Sequence, residues 1–314
     1  GAAVEEEEED FFADVQLMSA FETFRNAALL IGARAPTVEE FAYFDVAGDA
    51  ALTKKLDGLL EEDAFYDWLK EVYNDQFLTD RYKGGDNATN LLNATDFPDR
   101  KWYRETEESP YETLFLSQGL LYANNAVAQE ALELIVYVVR NNLPFTEILT
   151  ADYTLVNPFS AVSYGVGDQV TFEDPDDPTE FKPVQFPGVP HAGLLTSVMF
   201  LNRFPTTDTN RNRHRSRMIY EFFLATDVMK LAERPIDPTS IQDHNPTMFN
   251  PDCSACHEVI DPLGGAFQNW DERGRYVVPE AGWHADMRPT GFGEAVMPYE
   301  ERHRAAQWLA GFIA

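Results

Sequence analysis

The chain's only two cysteines, Cys253 and Cys256, stand three apart and are followed at once by His257, within "NPDCSACHEVIDPLGGAFQNWDERGRY". Each chemistry open to such a pair makes a demand on its surroundings. Structural zinc wants four ligands, and the chain has no second cysteine pair or spaced histidine pair to complete the set. A thiol redox pair wants a strand before it and a helix after it, and has no use for His257; the flanks "HNPTMFNPD" and "DPLGG" do not supply that setting. Two thiols on one helical turn can instead reach the two vinyl groups of one haem, and the next residue then presents its imidazole to the iron. The spacing therefore points to one covalent haem c, with Cys253 and Cys256 as thioethers and His257 as the proximal ligand. Both cysteines are then consumed, which leaves none for a disulfide.

The opposite side of the iron has several candidates. In the tail, Met297-Pro298 precedes an amphipathic stretch from Tyr299 to Ile313, and resembles the loop on which many small c-type cytochromes carry a distal methionine. Met297 leads Met287 and His284, and an open sixth position is the remaining alternative. Ala305, Trp308, Leu309, Phe312 and Ile313 fall on one face at helical spacing, which would let Trp308 pack near the haem. Arg203, Arg211, Arg213, Arg215 and Arg217 crowd one short stretch of a chain poor in basic residues. Arg213 and Arg217 share a helical face, as do Arg211 and Arg215. Because guanidinium forks onto carboxylate, Arg213 and Arg217 are candidates to clamp haem propionates or an anionic partner; internal salt bridges are the alternative.

Composition narrows the partners. A formal charge of -29, from 53 acidic and 24 basic residues, repels phosphate backbones and anionic lipid, so nucleic acid and anionic membrane surfaces are excluded. An acidic surface also keeps an exported protein soluble. No apolar run reaches the roughly 18 residues of a membrane span, and "ALELIVYVV" reads as a core helix. No signal peptide is read at Gly1, so the chain of an exported protein is expected to be its mature form. Haem attachment through thioethers requires an exported, unfolded apoprotein, which points to the bacterial periplasm or cell exterior. The cluster "EDPDDP" lacks the ligand spacing of an EF-hand and reads as a solvated turn.

The elements that must position these residues are mostly helical. From Phe24 to Tyr82 apolar residues recur at three and four, and Pro36, Thr37 and Glu40 form a capping-box signal. Ser109, Pro110 and Glu112 announce a long helix that runs through "ALELIVYVVRNN". From Val156 to Pro190, Pro, Gly and Asp dominate, which predicts a long loop with one hairpin around "DQVTF". Two helices around a polar turn follow, with Asp208 as the expected cap of the second. Pro262 is expected to end the haem helix, and Gly264-Gly265 to permit close approach to the haem edge.

Nearly the whole chain resembles the planctomycete-type cytochrome c family, also found in myxobacteria. The similarity runs through "FRNAALLIGARAPTVEEFAYF", "VVRNNLPFTEILTADYTLVNPFSAVSYG", "HAGLLTSVMFLNRFPTTDTNRNRHRSRMIYEFFL" and "CSACHEVIDPLGGAFQNWDERGRY". Asp261-Pro262-Leu263-Gly264, Asn269, Asp271 and Gly274 follow the family's haem-binding pattern; Gly265 departs from it, standing where an aromatic is expected. The resemblance implies haem and an extracytoplasmic site, without a settled reaction. The expected architecture is mainly α, a large multi-helix body with long irregular loops and a C-terminal c-type cytochrome-like haem module. Its segments are an acidic disordered tail (1–12), an N-terminal helical region (13–155), a Pro/Gly/Asp-rich loop with an Arg-rich helical pair (156–240) and the haem-binding module (241–314). The leading function is that of an exported monohaem cytochrome passing electrons to a redox partner protein, another cytochrome among the choices. A peroxidase- or oxygenase-like haem enzyme with an open distal site is one alternative. A haem-bearing structural subunit of a larger assembly is another.

Overall fold

A computed structural model of the chain describes residues 15–85, 87–104, 113–232, 244–278 and 283–314, the side chains of 113–117 excepted. The acidic tail 1–12 and the expected cap at Ser109-Pro110 lie outside these residues. Helix makes up 57% and strand 4%, so the fold is mainly α. Contacts group the chain into two units, Gly1–Glu71 and Val72–Ala314.

The first unit holds α1 (Ala20–Leu30), α2 (Val38–Ala47) and α3 (Leu52–Leu60). Ser19 and Thr37 each close a reciprocal capping box, with Glu22 and Glu40 respectively, so two of the orphan N–H groups at each helix start are satisfied. Phe24 and Ala28, Phe44, Ala51 and Leu59 form the core. Arg34 forks onto Glu40 at 2.8 Å and onto Glu62 at 2.6 Å. The Arg34 bond pulls the Glu40 carboxyl down to about 2, against burial. The division between the units falls inside α4 (Asp63–Phe77).

The second unit is built on α6 (Thr113–Arg140), which follows α5 (Asn87–Leu91). Buried residues recur along α6 from Ala123 to Val138, as a central helix requires. Against it pack α7 (Glu147–Thr150), β1 (Thr154–Val156), α8 (Pro158–Tyr164) and α9 (Val198–Arg203); β2 (Lys182–Val184) pairs with β1, and α10 (Arg213–Phe223) follows α9 in the chain. Glu130 ties three of these together: it is buried and accepts from the Tyr164 hydroxyl at 2.5 Å and from the Val198 N–H at 3.0 Å. Burial pushes its carboxyl up to about 7.

The region read as one long loop contains a helix and, in place of the expected hairpin, a strand that pairs back over a long connection. Asn157 caps α8 in a reciprocal box with Ser160, with Pro158 in the first turn. β1 pairs antiparallel with β2 in the register Leu155 to Pro183, while "DQVTF" forms no strand. Asp208 does not cap α10; Asn212, in the left-handed conformation, occupies the position before it.

The chain closes with α11 (Pro246–Phe249), α12 (Pro251–Gly264), the short strands β3 (Gly291–Phe292) and β4 (Ala295–Val296), and α13 (Ala305–Ile313). α12 packs on α10, α11 and β3. The buried face of α13 is Ala305, Ala306, Leu309 and Ala310, so the predicted stripe is rotated: Phe312 is 49% exposed.

Candidate functional site

α12 starts where its sequence says it should. Asn250 accepts from the backbone N–H of Asp252 at 2.9 Å and of Cys253 at 3.4 Å, Pro251 needs no partner for its nitrogen, and Asp252 faces the positive end of the helix. Cys253, Cys256, His257 and Asp261 follow at intervals of three, one and four, which places all four on one side of the helix. Cys253 is buried, and Cys256 is half-buried with its Sγ 3.2 Å from the carbonyl of Val228 in a 3-10 turn, Val228–Leu231. Neither is in a disulfide.

His257 is held from behind. Its Nδ1 lies 2.9 Å from Oδ1 of Asp261, whose side chain is fully buried. Arg213 at the start of α10 donates to both oxygens of the same carboxylate, Nε at 2.6 Å and a terminal nitrogen at 3.0 Å. Burial works against the Asp261 anion, but the bonds from His257 and Arg213 outweigh it and hold the carboxyl below its ordinary range. An anionic acceptor fixes the proton on Nδ1 and leaves the Nε2 lone pair available as a ligand. Among the described residues none bonds Nε2. Two thiols outside any disulfide and an imidazole oriented by a carboxylate fit a covalent haem. Among the same residues there is no group of three or more His, Cys, Asp or Glu arranged for a bare metal ion.

Arg215, two residues further along α10 and on its other side, fixes the frame around this helix. It is completely buried, and every guanidinium proton has an acceptor: the carbonyls of Leu201, Phe204, Trp270 and Asp271 and the Oδ1 of Asn212, all at 2.8–3.0 Å. Desolvation lowers its pKa to about 9, so it remains a cation at neutral pH. The segment after α12 is thereby tied to α9 and α10.

The remaining motif residues are architectural. Asn269 donates to the carbonyl of His303 at 2.7 Å, and Asp271 accepts from the N–H groups of Arg273 and Arg275 at 2.8 Å. Gly274 has φ +72 and would meet Cβ of Leu201 at 2.8 Å if it carried a side chain. A Cβ on Gly265 would fall 2.1 Å from Oγ1 of Thr290, so the close approach there is to the loop before β3. Pro262 lies inside α12, which runs two residues further. The helix tolerates it because the one backbone bond it removes is in the last turn.

Of the predicted site residues, the structure gathers Cys253, Cys256, His257 and Arg213. Arg217 is exposed and makes no side-chain bond among the described residues. Met297 is buried at the end of the β3–β4 hairpin, its N–H on the carbonyl of Thr290. Met287 is buried on the preceding loop, which reaches α12 through an Arg288–Glu258 ion pair at 2.8 Å. His284 is exposed and lines a cleft of about 550 Å³ with Arg211 and Trp270. Trp308 is half-buried against Phe312, ring centroids 4.5 Å apart. Sequence reasoning assigns neither Asp261 nor Arg215 its part in the site, although the four-residue step from His257 to Asp261 carries the signal for the first.

Residues 191–279 match the PSCyt3 family, described as a protein of unknown function (DUF1588). This is a planctomycete cytochrome c-type domain family; over these residues the match agrees with the resemblance read from the sequence and suggests a cytochrome c-like domain. The match spans α9, α10 and α12, and so covers Arg213, Arg215, Cys253, Cys256, His257 and Asp261 together. No curated protein and no solved structure matches the chain.

Proposed function

We propose that the protein is an exported monohaem c-type cytochrome that transfers electrons to a partner protein, its 241–314 segment serving as the haem-binding module. The observation that carries the reading is the shared face of α12, on which Cys253, Cys256 and an imidazole held by Asp261 stand within one helical turn. When bound, haem supplies a one-electron iron couple. Cys253 and Cys256 would hold it through thioethers and His257 through Nε2, with Asp261 keeping the imidazole from turning. Met297 is the proposed second protein ligand, with Met287 as its rival, and Trp308 would pack near the haem. No helix among the described residues is long and apolar enough to cross a membrane. The periplasm or outer surface is supported by the chemistry of attachment and by the cytochrome-like character of residues 191–279.

One observation favours a second reading. A carboxylate on the proximal imidazole sends electron density toward the metal, which suits an iron that keeps an open position for peroxide or oxygen. The first test is extraction of the denatured protein with acidified organic solvent: the red colour stays with the polypeptide if the haem is covalent and leaves if it is not. Prompt binding of cyanide by the ferric protein would turn the choice to the second reading.

A further inference from the structure

The carboxylate behind His257 is itself chelated by a guanidinium, and the two opposite charges meet at one oxygen. Oδ1 of Asp261 receives both the His257 Nδ1–H at 2.9 Å and the Arg213 Nε–H at 2.6 Å, with no solvent exposure of the carboxylate. A fully buried acceptor shared in this way cannot serve one donor without weakening its bond to the other, because low local polarity makes each bond sensitive to charge on its neighbour.

We propose that Asp261 and Arg213 form a tuning pair for the iron: Asp261 makes His257 a stronger electron donor and stabilises Fe(III), and Arg213 limits that effect by drawing charge from the shared oxygen. This rests on His257 being the iron ligand. Asp261 and Arg213 are positioning residues that act through the imidazole; neither is placed on the haem. The pair links the helix that carries the cysteines to the Arg-rich helix, and gives Arg213 a use different from clamping a propionate.

The consequence has a sign that distinguishes it from a structural role. Losing the anion in Asp261→Asn weakens the push through Nδ1 and so disfavours Fe(III). The Fe(II) to Fe(III) ratio at a fixed poise then rises, and a rise of about tenfold is a potential higher by about 59 mV for one electron. Losing the cation in Arg213→Gln frees the carboxylate to act on His257, and the ratio falls by about tenfold or less. A defect that only loosened the fold would move both variants the same way.

The experiment uses the full chain, expressed in a bacterial host that attaches c-type haem. Haem content is counted by the pyridine haemochrome, the potential is read by redox titration, and the iron–imidazole stretch is read by resonance Raman after photolysis of the reduced CO adduct. The expected result is covalent haem in all three proteins, potentials displaced in opposite directions, and a lower stretching frequency in Asp261→Asn. Covalent haem with both potentials unmoved or moved together overturns the proposal while the haem reading stands. Potentials displaced with the stretch unchanged also overturn it, since the charges would then act through space and not through His257. Wild-type protein that takes no haem overturns the reading itself. If Asp261→Asn fails to fold, Arg213→Gln decides by the sign of its displacement, and an increase or no change refutes the proposal.

Discussion

Replacing Arg215 by Lys is the most direct probe of what holds the site in place. The five guanidinium protons meet five acceptors, four backbone carbonyls and the Asn212 side chain, none with access to solvent through Arg215 itself. A lysine carries three donors, so at least two of those five acceptors lose their partner. Each buried unsatisfied group costs about 1–3 kcal/mol, which makes the expected loss about 2–6 kcal/mol. Against a total of roughly 5–15 kcal/mol for an ordinary domain, that is a large fraction. Urea unfolding followed by circular dichroism should show the midpoint lowered at an unchanged slope. Arg217→Lys, at an exposed position with no side-chain bond among the described residues, is the control and should stay within about 0.5 kcal/mol of the wild type. A loss below about 1 kcal/mol for Arg215→Lys, or equal effects from the two variants, would refute the claim that Arg215 is the tie between α9, α10 and the segment after α12.

The distal ligand and a buried acid give two further outcomes. A Met297 sulfur on the iron produces a weak red absorption band in the ferric protein and slow cyanide binding; Met297→Ala should abolish the band and speed cyanide entry, while Met287→Ala should leave both unchanged, and the reverse pattern would transfer the role to Met287. Glu130, raised in the folded protein from an ordinary 4.5 to about 7, binds protons more tightly folded than unfolded, so its contribution is fully present below about pH 4.5 and is lost as pH rises through 7. The difference in stability between the wild type and Glu130→Gln should shift by about 3 kcal/mol against the wild type over that window, and parallel pH profiles would contradict the assignment.

The parts of the fold that could be read in advance are those in which a local rule and the tertiary structure agree. Thr37 and Glu40 form the expected capping box because both partners lie within one turn and need nothing from the rest of the chain. The same rule applies to α8, where Asn157, Pro158 and Ser160 stand in capping positions, but the surrounding Pro, Gly and Asp point to a loop. β1 finds its partner 28 residues on, at Lys182–Val184, a pairing across distance that no local pattern announces. At the site, the cysteine and histidine spacing carries the chemistry, and helical periodicity places Asp261 beside His257. What periodicity cannot give is the partner from another element. Arg213 and Arg217 look equivalent on a helical face, yet only Arg213 meets a buried carboxylate. Arg215, equally charged on paper, is the one taken wholly inside, because five backbone and amide oxygens converge there from segments as far apart as Leu201 and Asp271.

The mass of the denatured, intact polypeptide tests the central claim most directly. Protein made in a host that attaches c-type haem should be heavier than its chain by one haem, with the added mass on the peptide that contains Cys253 and Cys256. The Cys253→Ser/Cys256→Ser double variant should return to the mass of the bare chain. A wild-type protein that runs at the mass of the unmodified polypeptide, from a host in which another c-type cytochrome is loaded, would contradict the assignment.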